Sequence, residues 1–175
     1  MTKQVGSKSW TENRLTSRLG LQYPIIQCPL GGLSSQRLTA SVTNYGGLGS
    51  FGAHGLQPEA IRNVIREIKA LTPKPFAMNL WFSMEDEGAL TATEEAFNRS
   101  LSPLAKHIES VGGTIPSYLP YKPIRFEDQA QVLLDEGISV FSFIYGIPSK
   151  QIMDEFRRKR VALLGTATTV PFGCR

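Results

Sequence analysis

Pro24-Ile25-Ile26-Gln27-Cys28-Pro29-Leu30-Gly31-Gly32-Leu33 is followed, one short helix pattern later, by Gly46-Gly47-Leu48-Gly49-Ser50-Phe51-Gly52. A continuous apolar run ending in Pro29-Leu30-Gly31-Gly32 reads as a strand buried on both faces, and such strands belong to parallel sheets. Glycines at its carboxyl end let backbone come close to a ligand. In parallel α/β sheets and barrels, that end is where ligands bind.

Working outward, Ser34–Asn44 reads as a helix. Ser34 or Ser35 can cap it, Leu38 and Val42 sit at i, i+4, and Gly46-Gly47 stop it. Leu48–Phe51 is then a short second strand. Pro58–Leu71 is the best amphipathic helix in the chain, with Ile61, Val64, Ile65, Ile68 and Leu71 on one stripe. Thr72-Pro73-Lys74-Pro75 breaks it, and Phe76–Phe82 is a third strand carrying Met78-Asn79-Leu80-Trp81 toward its end. Residues 83–120 fit this rhythm poorly and read as an excursion with an acidic helix over Thr91–Val111. Phe126–Glu136 is a helix closed by Gly137, Ile138–Ile144 a fourth strand, Ser149–Arg158 a helix, and Val161–Leu164 a fifth strand running into Gly165-Thr166.

Strands alternating with helices imply parallel pairing through right-handed crossovers. An eight-stranded barrel takes about 250 residues. The expected fold class is therefore α/β, an incomplete (β/α)8 TIM barrel with about five of the eight βα units. Its expected parts are an N-terminal extension over 1–18, the partial barrel over 19–170 with the excursion at 83–120, and an aberrant tail over 171–175.

The 175 residues are 41% hydrophobic and 19% charged, the balance of a soluble globular domain rather than a disordered chain. No apolar run approaches the ~20 residues that span a bilayer, so no membrane partner is expected. Met1–Trp10 lacks the apolar core of a secretory signal. Cys28 and Cys174 make no disulfide framework, and a reducing, cytoplasmic location is expected. The net charge of +4 is modest. The basic run Arg157-Arg158-Lys159-Arg160 reads as a helix end complementing the dipole, not as a nucleic-acid patch. No metal site is expected. His107 reads as a surface or core-edge residue of the excursion helix. His54, after the second strand, reads as loop packing or as a neighbour of the ligand face, and Trp81 and Phe82 read as rim packing.

Pro24-Ile-Ile-Gln-Cys-Pro-Leu-Gly-Gly-Leu33 resembles the nitronate monooxygenases (2-nitropropane dioxygenases), whose corresponding strand has the form Pro-Ile-(Ile/Val)-Gln-(Ala/Gly)-Pro-Met-(Ala/Gly)-Gly. The likeness continues through Ala40–Ala53, Ile65–Leu80 and Val161–Val170. The resemblance implies an FMN-dependent TIM-barrel enzyme that oxidises alkyl nitronates with O2 to carbonyl compounds and nitrite. It places the isoalloxazine at Cys28, Pro29, Leu30, Gly31 and Gly32, a hydrogen bond to the flavin ring at Asn79, and further lining at Thr166. An isoalloxazine needs an apolar wall and a few directed hydrogen bonds, since the protein positions and tunes the cofactor. Leu30 can supply wall, and the Asn79 amide and the backbone near the glycines can supply donors and acceptors.

Cys28 stands where the family usually has Ala or Gly, and Leu30 where Met is common. The resemblance places the catalytic histidine in an Ala-Gly-Gly-His segment after the sixth strand, beyond the chain end, so no catalytic residue is assigned here. Two other readings stay open. One is another flavin-dependent barrel oxidoreductase, such as a flavin-type enoyl-acyl-carrier-protein reductase. The other is a non-catalytic barrel fragment that associates with itself or another chain. Open sheet edges favour association; with the late phosphate-binding loops absent, weak or no FMN binding and little turnover are expected.

Overall fold

Pro58 opens the longest helix of the barrel layer at N1, where its missing N–H costs nothing. In the computed structural model, which describes residues 9–82, 91–120 and 124–167, that helix runs as expected over Pro58–Leu71. The tail at 171–175, the first eight residues of the expected extension and the acids Glu85, Asp86 and Glu87 lie outside the described residues. In chain order the elements are α1 (Arg14–Leu19), α2 (Gln36–Asn44), β1 (Ser50–Gly52), α3 (Pro58–Leu71), β2 (Ala77–Trp81), α4 (Glu94–Ser110), α5 (Phe126–Asp135), β3 (Val140–Ile144), α6 (Lys150–Arg158) and β4 (Ala162–Gly165).

Contacts divide the chain into two compact units, Met1–Ser83 with Ile124–Arg175, and Met84–Pro123. The first holds a four-stranded sheet in the order β1-β2-β3-β4, every pair parallel. This is part of a (β/α)8 barrel. The register aligns Ser50, Ala77, Val140 and Ala162 in one row and Gly52, Asn79, Ser142 and Leu164 in another. Side chains alternate faces along each strand. Phe51, Met78, Leu80, Phe141 and Phe143 point to the helices and form the main core with Ile61, Ile65 and Ile68 of α3, Leu133 of α5 and Phe156 of α6. Phe141 and Phe156 stack there with centroids 4.5 Å apart. Ala77 and Val140 point the other way and pack with Leu48 and Leu19. Helix α1, capped by a box between Asn13 and Thr16, thus covers the inner face at the amino ends of the strands.

The first strand differs from expectation. Pro24–Pro29 forms only a single parallel bridge, Ile26 to Leu48. Ile25 and Ile26 are 54% and 43% exposed instead of buried on both faces. Beyond the bridge, the Gln27 side chain takes over the pairing: its Nε2 donates to the Ser50 carbonyl at 3.0 Å and its Oε1 accepts from the Ser50 N–H at 3.2 Å. Pro29, two residues on, has no N–H to continue a ladder. The segment is an edge among the described residues, so nothing covers its outer side. The sheet accordingly has four strands where five were expected. The second is Ser50–Gly52 rather than Leu48–Phe51, and the last shifts by one residue to Ala162–Gly165. Leu71, the last residue of the expected α3 stripe, is 48% exposed because the helix ends there.

Helix α2 lies so close to β1 that only glycine fits at position 49. A Cβ there would lie 1.9 Å from the Thr39 carbonyl oxygen and 2.5 Å from Thr43 Oγ1. The Gly49 N–H itself donates to Thr43 Oγ1 at 3.1 Å. In the same helix layer an ionic joint ties α3 to the end of α5. Glu136 accepts from Arg62 at 2.9 Å and pairs with Arg66 at 3.1 Å, while Lys69 donates to its backbone carbonyl. Burial pushes the Glu136 carboxyl up, but the hydrogen bonds from Arg62 and Arg66 outweigh it and hold it below its ordinary value.

The second unit carries α4, shorter than the expected Thr91–Val111, with Thr93 capping it through the Ala96 N–H at 3.2 Å. Tyr118 closes back on this unit's start, its hydroxyl donating to the Ala92 carbonyl at 2.6 Å. No helix among the described residues is long and apolar enough to cross a membrane.

Gly49→Ala is expected to cost more than about 3 kcal/mol, because α2 must move to admit the methyl; the urea midpoint reads it. Glu136→Gln is expected to lower the melting temperature at pH 7. The depressed carboxyl contributes stability above its unfolded-state pKa and loses it as pH falls through the folded value. The parent should therefore lose stability on acidification that the Gln variant does not, which thermal melts between pH 7 and pH 3 would check.

Candidate active site

Parallel strands put all their carboxyl ends on one rim, and the residues expected at the site follow those ends. The loop after the Ile26 bridge turns tightly: Leu33 and Ser34 both donate backbone N–H groups to the Leu30 carbonyl, and Gly32 takes φ 71°. Ser34 pins this loop to β1, its Oγ accepting from the Leu30 N–H at 2.9 Å and the Gly52 N–H at 3.3 Å. Both serines read as possible caps in the sequence therefore have separate jobs, for Ser35 caps α2 through the Leu38 N–H. The Leu30–Gly31 backbone rests directly on Gly52, where a Cβ would lie 3.0 Å from the Gly31 nitrogen. Cys28, Leu30, Gly31 and Gly32 are exposed and Pro29 half-buried.

Asn79 is 4% exposed and points to the inner face, across the register from Ser142. Its Nδ2 donates to Ser142 Oγ at 2.9 Å, and its backbone carbonyl accepts from the Ala53 N–H at 3.0 Å. No hydrogen bond to its Oδ1 occurs among the described residues. The amide is thus held in place through its nitrogen. Thr166, after β4, is exposed, with its N–H on the Phe143 carbonyl at 3.2 Å. The geometry joins Leu30 and Gly31 to Gly52, and Asn79 to Ser142; it draws neither Cys28 nor Thr166 into either contact.

Above Asn79, on the same strand face, stands Trp81. His54 stacks on it with ring centroids 4.0 Å apart and planes 12° from parallel. Tyr145 meets it edge-on at 5.0 Å. Burial holds the His54 pKa below its ordinary value, which favours the neutral imidazole in the stack. Tyr145 adopts φ 65°, which non-glycine residues seldom take.

Sequence reasoning missed Gln27, Ser142 and Tyr145. A lone serine inside the apolar run Val140–Ile144 was the available signal for Ser142. Nothing in the sequence marks Tyr145, because its role comes from backbone geometry.

Chemically, the rim combines an uncovered backbone turn, an amide anchored through its nitrogen and an aromatic face. That set suits a planar heterocycle, which takes hydrogen bonds at its edge and contact on its face. It fits an isoalloxazine: Gly31 and Gly32 have open space where a Cβ would be, and no donor among the described residues meets Asn79 Oδ1.

A family model described as nitronate monooxygenase matches residues 12–171. The chain is 38% identical to a nitronate monooxygenase of Paraburkholderia phytofirmans over 173 residues, covering 97% of this chain and 45% of that protein. It is 33% identical to a probable nitronate monooxygenase of Staphylococcus haemolyticus, covering 92% of this chain and 44% of that protein. The chain thus spans less than half the length of these relatives. Among solved structures, the nitroalkane oxidase from Streptomyces ansochromogenes superposes with a TM-score of 0.71 at 30% identity, over 89% of this chain and 42% of that one. FabK from Thermotoga maritima superposes at 0.63 with 20% identity, over 90% of this chain and 38% of that one, a likeness of fold alone.

The His54–Trp81 stack gives a spectroscopic expectation. Protonating His54 should quench Trp81 fluorescence, with a midpoint below the ordinary histidine value, and His54→Gln should abolish the transition. A pH titration of emission between 7.5 and 4.5 checks it.

Proposed function

This chain belongs to the nitronate monooxygenase family, and from that premise we propose that its strand ends form part of an FMN site at which alkyl nitronates are oxidised by O2 to carbonyl compounds and nitrite. The observation that carries this reading is Asn79. A buried amide normally satisfies both its donor and its acceptor. Here the donor is used on Ser142, and no donor among the described residues meets the oxygen.

FMN, when bound, would supply the redox chemistry, accepting electrons from the nitronate and passing them to O2. The protein's share is placement. Asn79 would accept a hydrogen bond from the ring edge, with Ser142 fixing the amide so that little order is lost on binding. Ser34 holds the Leu30–Gly31 turn down on Gly52, which keeps the approach to the backbone open. Leu30, 44% exposed, would lend an apolar face to the ring. Cys28 and Pro29 would border that face, and Thr166 would line the far side from β4. Small-molecule substrate and O2 are the partners this reading requires.

Asn79→Ala removes the acceptor and is expected to weaken FMN binding about tenfold, the worth of one net hydrogen bond. Flavin fluorescence quenching on titrating the chain into FMN reads this without turnover. Equal affinities for parent and variant, or no binding by the parent, would reject the placement. Gly52→Ala, which pushes the Leu30–Gly31 turn outward, is expected to weaken binding in the same assay while circular dichroism stays unchanged.

A further inference from the structure

Around Ile26 and Leu48 the backbone pairs as a parallel ladder. The Leu48 N–H donates to the Ile25 carbonyl at 2.8 Å, and the Gln27 N–H donates to the Leu48 carbonyl at 2.9 Å. The next step of such a ladder would join the Ser50 N–H to the Gln27 carbonyl, and the N–H of residue 29 to the Ser50 carbonyl. Residue 29 is proline and has no N–H to give. The Gln27 side chain supplies both groups instead: Oε1 accepts from the Ser50 N–H, and Nε2 donates to the Ser50 carbonyl. A primary amide carries the same kinds of donor and acceptor as a peptide. The sheet gains its next step while the main chain is released from it.

The second hydrogen of that amide has its own task. Nε2 also donates to the Cys28 carbonyl at 2.9 Å, which ties the chain as it leaves the sheet. At the far end of the same turn, Ser34 accepts from the Leu30 and Gly52 N–H groups. The anchor itself is fixed, because buried Thr39 of α2 donates its hydroxyl to the Ser50 carbonyl at 3.4 Å. Immobilising a glutamine costs rotamer freedom. Here its oxygen and both of its amide hydrogens are engaged, and everything they hold lies at the start of the Cys28–Gly32 turn.

We propose that Gln27 is a positioning residue for the cofactor: its side-chain amide stands in for the ladder step that Pro29 cannot make, and so presents the Cys28–Gly32 turn, already shaped, to the flavin. This rests on the FMN reading above. A turn held in its bound shape beforehand loses less order on binding. A turn that samples other shapes lowers the apparent affinity in proportion to the time spent in them.

The test uses the full chain carrying Cys174→Ser, so that Cys28 is its single thiol. Gln27→Met keeps the length of the side chain and removes its three hydrogen bonds. Gln27→Glu keeps the length but sets a carboxylate against the Ser50 and Cys28 carbonyl oxygens, and protonation returns an O–H donor. One readout is the rate of Cys28 exchange with 4,4′-dithiodipyridine in the absence of FMN. The other is FMN affinity by flavin fluorescence quenching. At pH 7.5 both variants are expected to exchange at least about threefold faster, as the turn opens locally. Both are expected to bind FMN about tenfold more weakly. For Gln27→Glu, both ratios to the parent should return toward one as pH falls from 7.5 to 5, while those of Gln27→Met stay constant. Should Gln27→Met fail to fold, the Gln27→Glu series decides. Thiol rates equal to the parent's overturn the clamp. Faster exchange with unchanged FMN affinity overturns the cofactor role and leaves the FMN reading standing. Losses in Gln27→Glu that acid does not reverse, together with a lowered melting temperature, make Gln27 a structural residue only and overturn the proposal. A parent that binds no FMN rejects the FMN reading, and the cofactor role falls with it.

Discussion

The parallel register of four short strands governs everything else in this chain. It sets Gly52, Asn79, Ser142 and Leu164 in one row on the inner face, and the alternation of side chains then sends Met78, Leu80, Phe141 and Phe143 outward to the helices. A slip of one residue would bury Asn79 among the helices and turn phenylalanines toward the rim. The core therefore does more than stabilise the sheet. Its preference for apolar side chains on one face determines which polar groups appear on the other.

The two ends of the sheet divide the labour. At the amino ends, Leu19 of α1 closes the inner face over Ala77 and Val140. At the carboxyl ends the chain accepts exposed rings and a left-handed tyrosine, neither of which improves stability. Barrels of this kind separate stability and chemistry in the same way. The rigid glycine contact of α2 on β1 matters to both, because the strand it holds carries Gly52 into the site.

Much of this was legible before any coordinates. Pro58 and its stripe of isoleucines marked α3 with its boundaries, and the strand–helix alternation gave the parallel class. The family likeness pointed to Asn79, whose position on the strand the register then explains. The first strand was misjudged for an identifiable reason: Ile25 and Ile26 look buried by composition, but burial depends on a neighbour that composition does not reveal. Gln27 was equally opaque, since a glutamine side chain standing in for a backbone ladder has no sequence signature. Ser34 and Ser35 were both legible as candidate caps; Ser35 takes that task, and the pinning of the loop by Ser34 has no sequence signature. Residues 83–120, which broke the rhythm, fall largely within the separately clustering segment Met84–Pro123.

The end of β2 and the start of α5 meet. Phe82 and Phe126 pack edge to face with centroids 5.1 Å apart, and the Phe82 N–H donates to the Ile144 carbonyl at 2.9 Å. The chain thus leaves the first unit and returns to it at one point. Closing such a loop costs chain entropy that grows only with the logarithm of its length, about 0.6 kcal/mol per doubling. The sheet is consequently indifferent to how much polypeptide hangs there, and the Phe82–Phe126 pair is the seam at which this fold can gain or shed a segment without re-registering a strand.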